Sequence, residues 1–108
     1  MISSDLASKK CEPSEASALK GDDLRKLYGQ LDGWTMVNEH HLEKEYRFKD
    51  FAQALAFVNR LGSVAEAEGH HPDILLTWGK VKVTLWTHSV GGLTENDFIL
   101  AAKADGVR

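Results

Sequence analysis

The sequence predicts an α+β domain, a four-stranded antiparallel sheet with helices packed on one face, in the order α-β-β-α-β-β-α. Three observations predict it. A helical apolar periodicity runs from Phe51 to about Glu68, with clear start and stop signals. A pair of short strand-like segments lies on each side of it, and each pair closes on itself as a hairpin. Two hairpins joined by a helix favour one antiparallel sheet with the helices gathered on one face. At 108 residues, 43% hydrophobic and 27% charged, the chain has room for one domain and lies outside disordered, collagenous and disulfide-scaffold compositions.

The expected organisation is a flexible lead over residues 1–20, mobile or loosely docked, and a single domain over 21–108. The lead is rich in Ser, Ala, Lys and Glu, contains Pro13, and shows no large apolar residue recurring at helical spacing. A short helix is expected from Asp22 to Leu31, because Leu24, Leu27, Tyr28 and Leu31 recur at three-and-four spacing, with Asp22 or Asp23 as cap. Asp32-Gly33 stops it. Trp34–Asn38 and Leu42–Phe48 read as strands, the second alternating Leu42, Lys44, Tyr46 and Phe48 against Glu43, Glu45 and Arg47.

The long helix starts at a cap on Asp50 and carries an apolar stripe of Phe51, Ala54, Leu55, Val58, Leu61 and Ala65. Gly69 and Pro72 end it, since glycine suits a C-terminal cap and proline drives His71 into extended geometry. Ile74–Trp78 and Lys80–His88 form the second strand pair, turning at Gly79. Val81, Val83 and Leu85 then face one side, and Lys82, Thr84, Trp86 and His88 the other. Thr94 caps a last helix through about Ala104. Trp86 and Trp78 on the second face suggest a surface shared with another subunit.

Several function classes are excluded. The single Cys11 permits no intrachain disulfide and no Cys-pair metal or redox motif, so the chain reads as intracellular. No apolar run reaches the roughly 18 residues of a membrane span, and the start lacks a secretory signal, so a cytoplasmic location is expected. Thirteen basic against sixteen acidic residues, a net charge of −3, offer no Lys/Arg patch for direct nucleic-acid binding. Gly91-Gly92 lacks the lysine and spacing of a P-loop, and no dinucleotide fingerprint is present.

The chemistry-bearing residues cluster in Glu66-Ala67-Glu68-Gly69-His70-His71-Pro72-Asp73, with Trp78, Thr87-His88 and Asp97 following. Consecutive side chains in extended backbone point apart, so His70 and His71 take separate roles. Glu66 lies four residues before His70, where a continuing helix pairs the two. Histidines around one small molecule imply proton transfer near neutral pH. Each residue also has a plainer reading: a polar helix-to-strand connection for His70-His71, a backbone-satisfied strand end for His88, and a capping-box partner of Thr94 for Asp97. His40-His41, in a hairpin turn, serves as the comparison pair and is taken as solvated and structural. Glu66, His70, His71 and His88 make poor metal ligands, since no His-Glu-x-x-His helix is present and adjacent histidines ligate awkwardly.

Glu66, the three-residue gap, His70-His71-Pro72, Trp78, His88 and Asp97 together resemble the pterin-4a-carbinolamine dehydratases. Trp34 after a glycine, and Tyr46-Arg47-Phe48-Lys49-Asp50-Phe51 before the long helix, strengthen the likeness, which spans about Gly33 to Asp105. Gly69 departs from it, standing where some members carry an acidic residue. The resemblance implies removal of water from a 4a-hydroxytetrahydropterin, such as 4a-hydroxytetrahydrobiopterin, to give the quinonoid dihydropterin and support cofactor recycling for an aromatic amino acid hydroxylase. It implies His70, His71 and His88 as the catalytic histidines, with His70 and His88 in acid–base work and His71 in substrate placement alongside participation in the chemistry. By the same resemblance Glu66 is expected to orient His70 and to contact the pterin, Asp97 to fix His88 or the site edge or to serve only as a cap, Pro72 and Thr87 to line the site, and Trp34 to form an aromatic wall. No external cofactor or metal is needed, because the pterin is the substrate. Homodimers or homotetramers are expected. The competing expectation is a non-enzymatic coactivator or dimerisation module that acts through protein contacts.

Overall fold

Four strands, β1 (Thr35–Val37), β2 (His41–Arg47), β3 (Asp73–Thr77) and β4 (Lys80–Leu85), pair antiparallel in the spatial order β1-β2-β4-β3. The structure is a computed structural model and describes residues 4–12 and 18–108. Four helices, α1 (Ser4–Ser8), α2 (Gly21–Tyr28), α3 (Phe51–Glu68) and α4 (Glu95–Gly106), cover one face of the sheet. The α+β class and the order of the expected elements therefore hold, with α1 added in front.

Period-two patterning sets the sheet. Leu42, Tyr46, Val81, Val83 and Leu85 are buried beneath the helices. The alternate residues Glu43, Glu45 and Lys82 lie on the open face, where Lys82 Nζ pairs with Glu43 at 2.8 Å. Asn38 and Glu39 both have φ of 54°, the left-handed pair that lets so short a hairpin match the strand twist. Thr77 pairs with Lys80, leaving Trp78-Gly79 as the two-residue turn of the second hairpin.

Helix α3 has the expected bounds. The Asp50 side chain accepts from the Gln53 N–H, and Gly69 closes the helix at φ 69°. Its buried line is Ala54, Phe57, Leu61 and Ala65, which corrects the expected stripe: Phe51 and Leu55 face solvent, and Phe57 packs on Tyr46 and Phe48. Burying a ring of that size contributes about 1.5–3 kcal/mol.

Two further expectations are corrected. Helix α2 ends at Tyr28, not Leu31, and Lys20 occupies its cap position; Asp22 pairs with Arg25 instead of capping. Strand β4 ends at Leu85, and Thr87 makes only an isolated bridge to Gly92, so His88 stands in a turn. Within the expected lead, residues 4–12 are docked: Leu6 is buried, and the Lys103 ammonium donates to the Ala7 carbonyl at 2.8 Å. Pro13 lies outside the described residues.

Helix α4 is buried on most sides, as Phe98, Leu100, Ala101 and Ala104 show, because α1, α2 and α3 all pack on it. Its end is tied to the sheet. Asp105 accepts from the Trp34 indole at 3.2 Å, from Lys44 at 2.8 Å and from the Tyr46 hydroxyl. Burial and Asp105 push the Tyr46 phenol well above its ordinary range.

Candidate active site

The end of α3, the start of α4 and the segment after β4 meet at one place. There a cleft of about 720 Å³ is lined by His70, His71, Trp86, Thr87 and His88, together with Cys11, Glu12 and Asn96. Small-molecule sites usually occupy about 300–1,000 Å³. The adjacent pair His70-His71 and the distant His88 thus share one cavity.

Gly69 decides the fate of the two adjacent histidines. Its left-handed backbone turns the chain out of α3, so His70 leaves the helix face on which Glu66 lies. His70 Nε2 instead lies 2.6 Å from Asp97 Oδ1. The Glu66 carboxylate pairs with His71 Nε2, at 2.8 Å, with both side chains mostly exposed. Two expectations are corrected here: Glu66 partners His71 rather than His70, and Asp97 holds His70 rather than His88.

Asp97 is fully buried in the first turn of α4. Its Oδ2 accepts from the Thr87 hydroxyl at 2.7 Å and from the Thr94 N–H at 2.9 Å, while Oδ1 faces His70. The capping-box reading and the site reading are therefore both satisfied by one carboxylate. A carboxylate only accepts hydrogen bonds, so the proton between the pair sits on His70 Nε2, which fixes the ring's tautomer. Thr87, hydrogen-bonded also to the Thr94 hydroxyl at 2.9 Å, links the segment after β4 to this pair.

His88 is exposed, and its ring stacks on Trp86 at 3.9 Å and 27°. Trp34, the expected aromatic wall, is only 4% exposed and packs edge-on against Tyr46, away from the cleft. Trp86 is the tryptophan at the site. The β4 alternation, which put Trp86 and His88 on one side, was the signal for it. Pro72 leads from His71 into β3 and does not line the cleft, and neither does Glu66, which reaches it through His71.

The docked N-terminal segment supplies a wall that the sequence did not reveal. The Asn96 side chain accepts from the Glu12 N–H at 3.0 Å and donates to the Glu12 carbonyl at 2.7 Å. Glu68 accepts from the Cys11 N–H at 2.7 Å. That hydrogen bond, with Lys103 nearby, holds the Glu68 carboxyl below its ordinary range although burial opposes it. Burial, followed by Glu68, pushes the Cys11 thiol up to about 12.

The family model described as Pterin 4 alpha carbinolamine dehydratase matches residues 17–107. The chain belongs to that family. A protein of Rubrobacter xylanophilus, provisionally named a pterin-4-alpha-carbinolamine dehydratase, is 50% identical over 104 residues, covering 94% of this chain and 97% of that one. One of Alkaliphilus metalliredigens with the same provisional name is 50% identical over 103 residues, 93% of each.

Two solved structures share the dehydratase fold. A transcriptional coactivator/pterin dehydratase from Brucella melitensis superposes with a TM-score of 0.79 at 33% identity, covering 84% of this chain and 98% of that one. A pterin dehydratase-like RuBisCO assembly factor of the alpha-carboxysome gives 0.60 at 27% identity, over 70% and 89%. Among the described residues, no helix is long and apolar enough to cross a membrane.

Proposed function

We propose that this chain is a dehydratase that removes water from a 4a-hydroxytetrahydropterin and supports tetrahydropterin recycling in the cytoplasm, beside an aromatic amino acid hydroxylase. The observation that carries the reading is the cleft onto which His70, His71 and His88 all open, in a chain of the dehydratase family.

The reaction breaks the C4a–O bond and forms the C4a=N5 bond. Hydroxide leaves poorly at neutral pH, so a general acid protonates the departing oxygen while a base takes the N5 proton. The products are water and the quinonoid dihydropterin. His70 and His88 exchange these two protons. Asp97 keeps one nitrogen of His70 committed to its own hydrogen bond, so the ring exchanges protons through Nδ1. His71, steadied by Glu66, holds the substrate, and Thr87 and Trp86 form the adjoining wall.

The test is to generate the 4a-hydroxy adduct by hydroxylase turnover and follow its spectral decay. Added protein should accelerate the decay, and decay at the background rate overturns the reading. A second, protein-binding role draws on the coactivator and assembly-factor names of the two structural neighbours and on the exposed Leu75 and Trp78. Assembly into homodimers or homotetramers belongs to the same proposal, and light scattering reads it.

A further inference from the structure

Four rings run in contact from the β1–β2 turn to the cleft. His40 Nδ1 and His41 Nδ1 lie 3.0 Å apart. The His40 ring lies 4.4 Å from that of Trp86, tilted by 42°, and Trp86 stacks on His88. The backbone of His40 is pinned, because its N–H closes the turn on the Val37 carbonyl at 2.8 Å. His40 is therefore not the solvated turn residue that the sequence suggested.

The other end of the row is held differently from its neighbours in the cleft. His70 and His71 are each oriented by a carboxylate, whereas no described residue hydrogen-bonds the His88 ring. The His88 ring instead lies stacked on Trp86, 3.9 Å away and within 27° of parallel. Trp86 follows the last residue of β4, outside the regular ladder, so its own orientation depends on side-chain packing. His40 is the other ring against it.

We propose that His40 is a positioning residue for the dehydration: by packing on Trp86 it keeps the ring of His88 presented to the cleft. The kinetic part rests on the dehydratase reading. His40 touches no reacting atom, so its removal lowers kcat and leaves KM close to wild type. One lost ring contact corresponds to about a two- to tenfold fall in rate.

The experiment uses the full chain and three variants. Ring currents from Trp86 displace the ring-proton NMR resonances of His88, and Trp86→Ala identifies that displacement. His40→Ala should move the His88 resonances and lower kcat together. His40→Phe, which keeps a flat ring but cannot hydrogen-bond His41, should restore both. An active wild type whose His40→Ala variant matches it in kcat and in the His88 resonances overturns the proposal, and so does a folded His40→Phe that restores neither. Failure of the dehydratase reading is distinct, because there the wild type itself does not accelerate the reaction.

Discussion

His70 Nε2 lies 2.6 Å from the Oδ1 atom of Asp97, a carboxylate with no exposed surface whose other oxygen already accepts two hydrogen bonds. Both oxygens of Asp97 are therefore engaged, one by His70 and the other by Thr87 and Thr94. Replacing it by asparagine puts an amide donor against either Thr87 and Thr94 or His70. In the second case His70 must accept at Nε2 and carry its proton on Nδ1. Asp97→Asn should lower the dehydration rate by about 10–100-fold, the usual effect of losing a partner that orients a functional histidine. Urea unfolding should show a loss of about 1–3 kcal/mol, the cost of stranding a buried polar group. A variant with wild-type rate would show that the pair is only a helix cap.

Glu68 gives a pH-dependent stability. Its folded-state carboxyl lies below the ordinary 4.5, first because the Cys11 N–H donates to it. The carboxylate thus binds protons less readily when folded, so its contribution is complete above 4.5 and is lost as pH falls through the lowered value. Glu68→Gln should cost about 1 kcal/mol at neutral pH. The gap from wild type should close as the solution is acidified below that range. Urea midpoints across pH measure it, and a pH-independent gap contradicts it.

Cys11 should be inert in the native protein. Its thiol is pushed up to about 12, and the thiolate is the reactive form. Iodoacetamide at mildly alkaline pH should label the folded chain more than about tenfold more slowly than the urea-unfolded chain. Equal rates would mean that the N-terminal segment does not hold its place beside Glu68.

Asp105 should matter to stability more than its place near the C-terminus suggests. Asp105→Ala strands the Trp34 indole N–H and the Tyr46 hydroxyl, at about 1–3 kcal/mol, whereas Tyr46→Phe removes one donor together with its need and should cost less. Denaturant titration of both variants gives the order, and the reverse order contradicts it.

What the sequence disclosed follows from how local each signal is. The bounds of α3 were legible because Asp50 and Gly69 act on their immediate neighbours. The buried phase of α3 was not, because Phe51, Leu55 and Phe57 are all apolar and only the sheet beneath decides which of them it covers. The three histidines that line the cleft are the ones the sequence singles out. Their partners were not legible, since helical spacing paired Glu66 with His70, while the Gly69 turn releases His70 to a residue 27 positions away. Trp34 and Trp86 were indistinguishable by composition. Burial against Tyr46 separates the first from the cleft, and stacking on His88 puts the second in it. Helix α1 rests on the single burial of Leu6, which carries no periodicity to read.

Single-turnover decay of a 4a-hydroxytetrahydropterin, measured with wild type and with His70→Ala, His71→Ala, His88→Ala and His41→Ala, tests the central claim most directly. General acid–base groups contribute about 10²–10⁴-fold. Losses of that order at His70 and His88, a lesser loss at His71 and none at His41 are the expected result. Catalysis that survives removal of His70 and His88 together would contradict it.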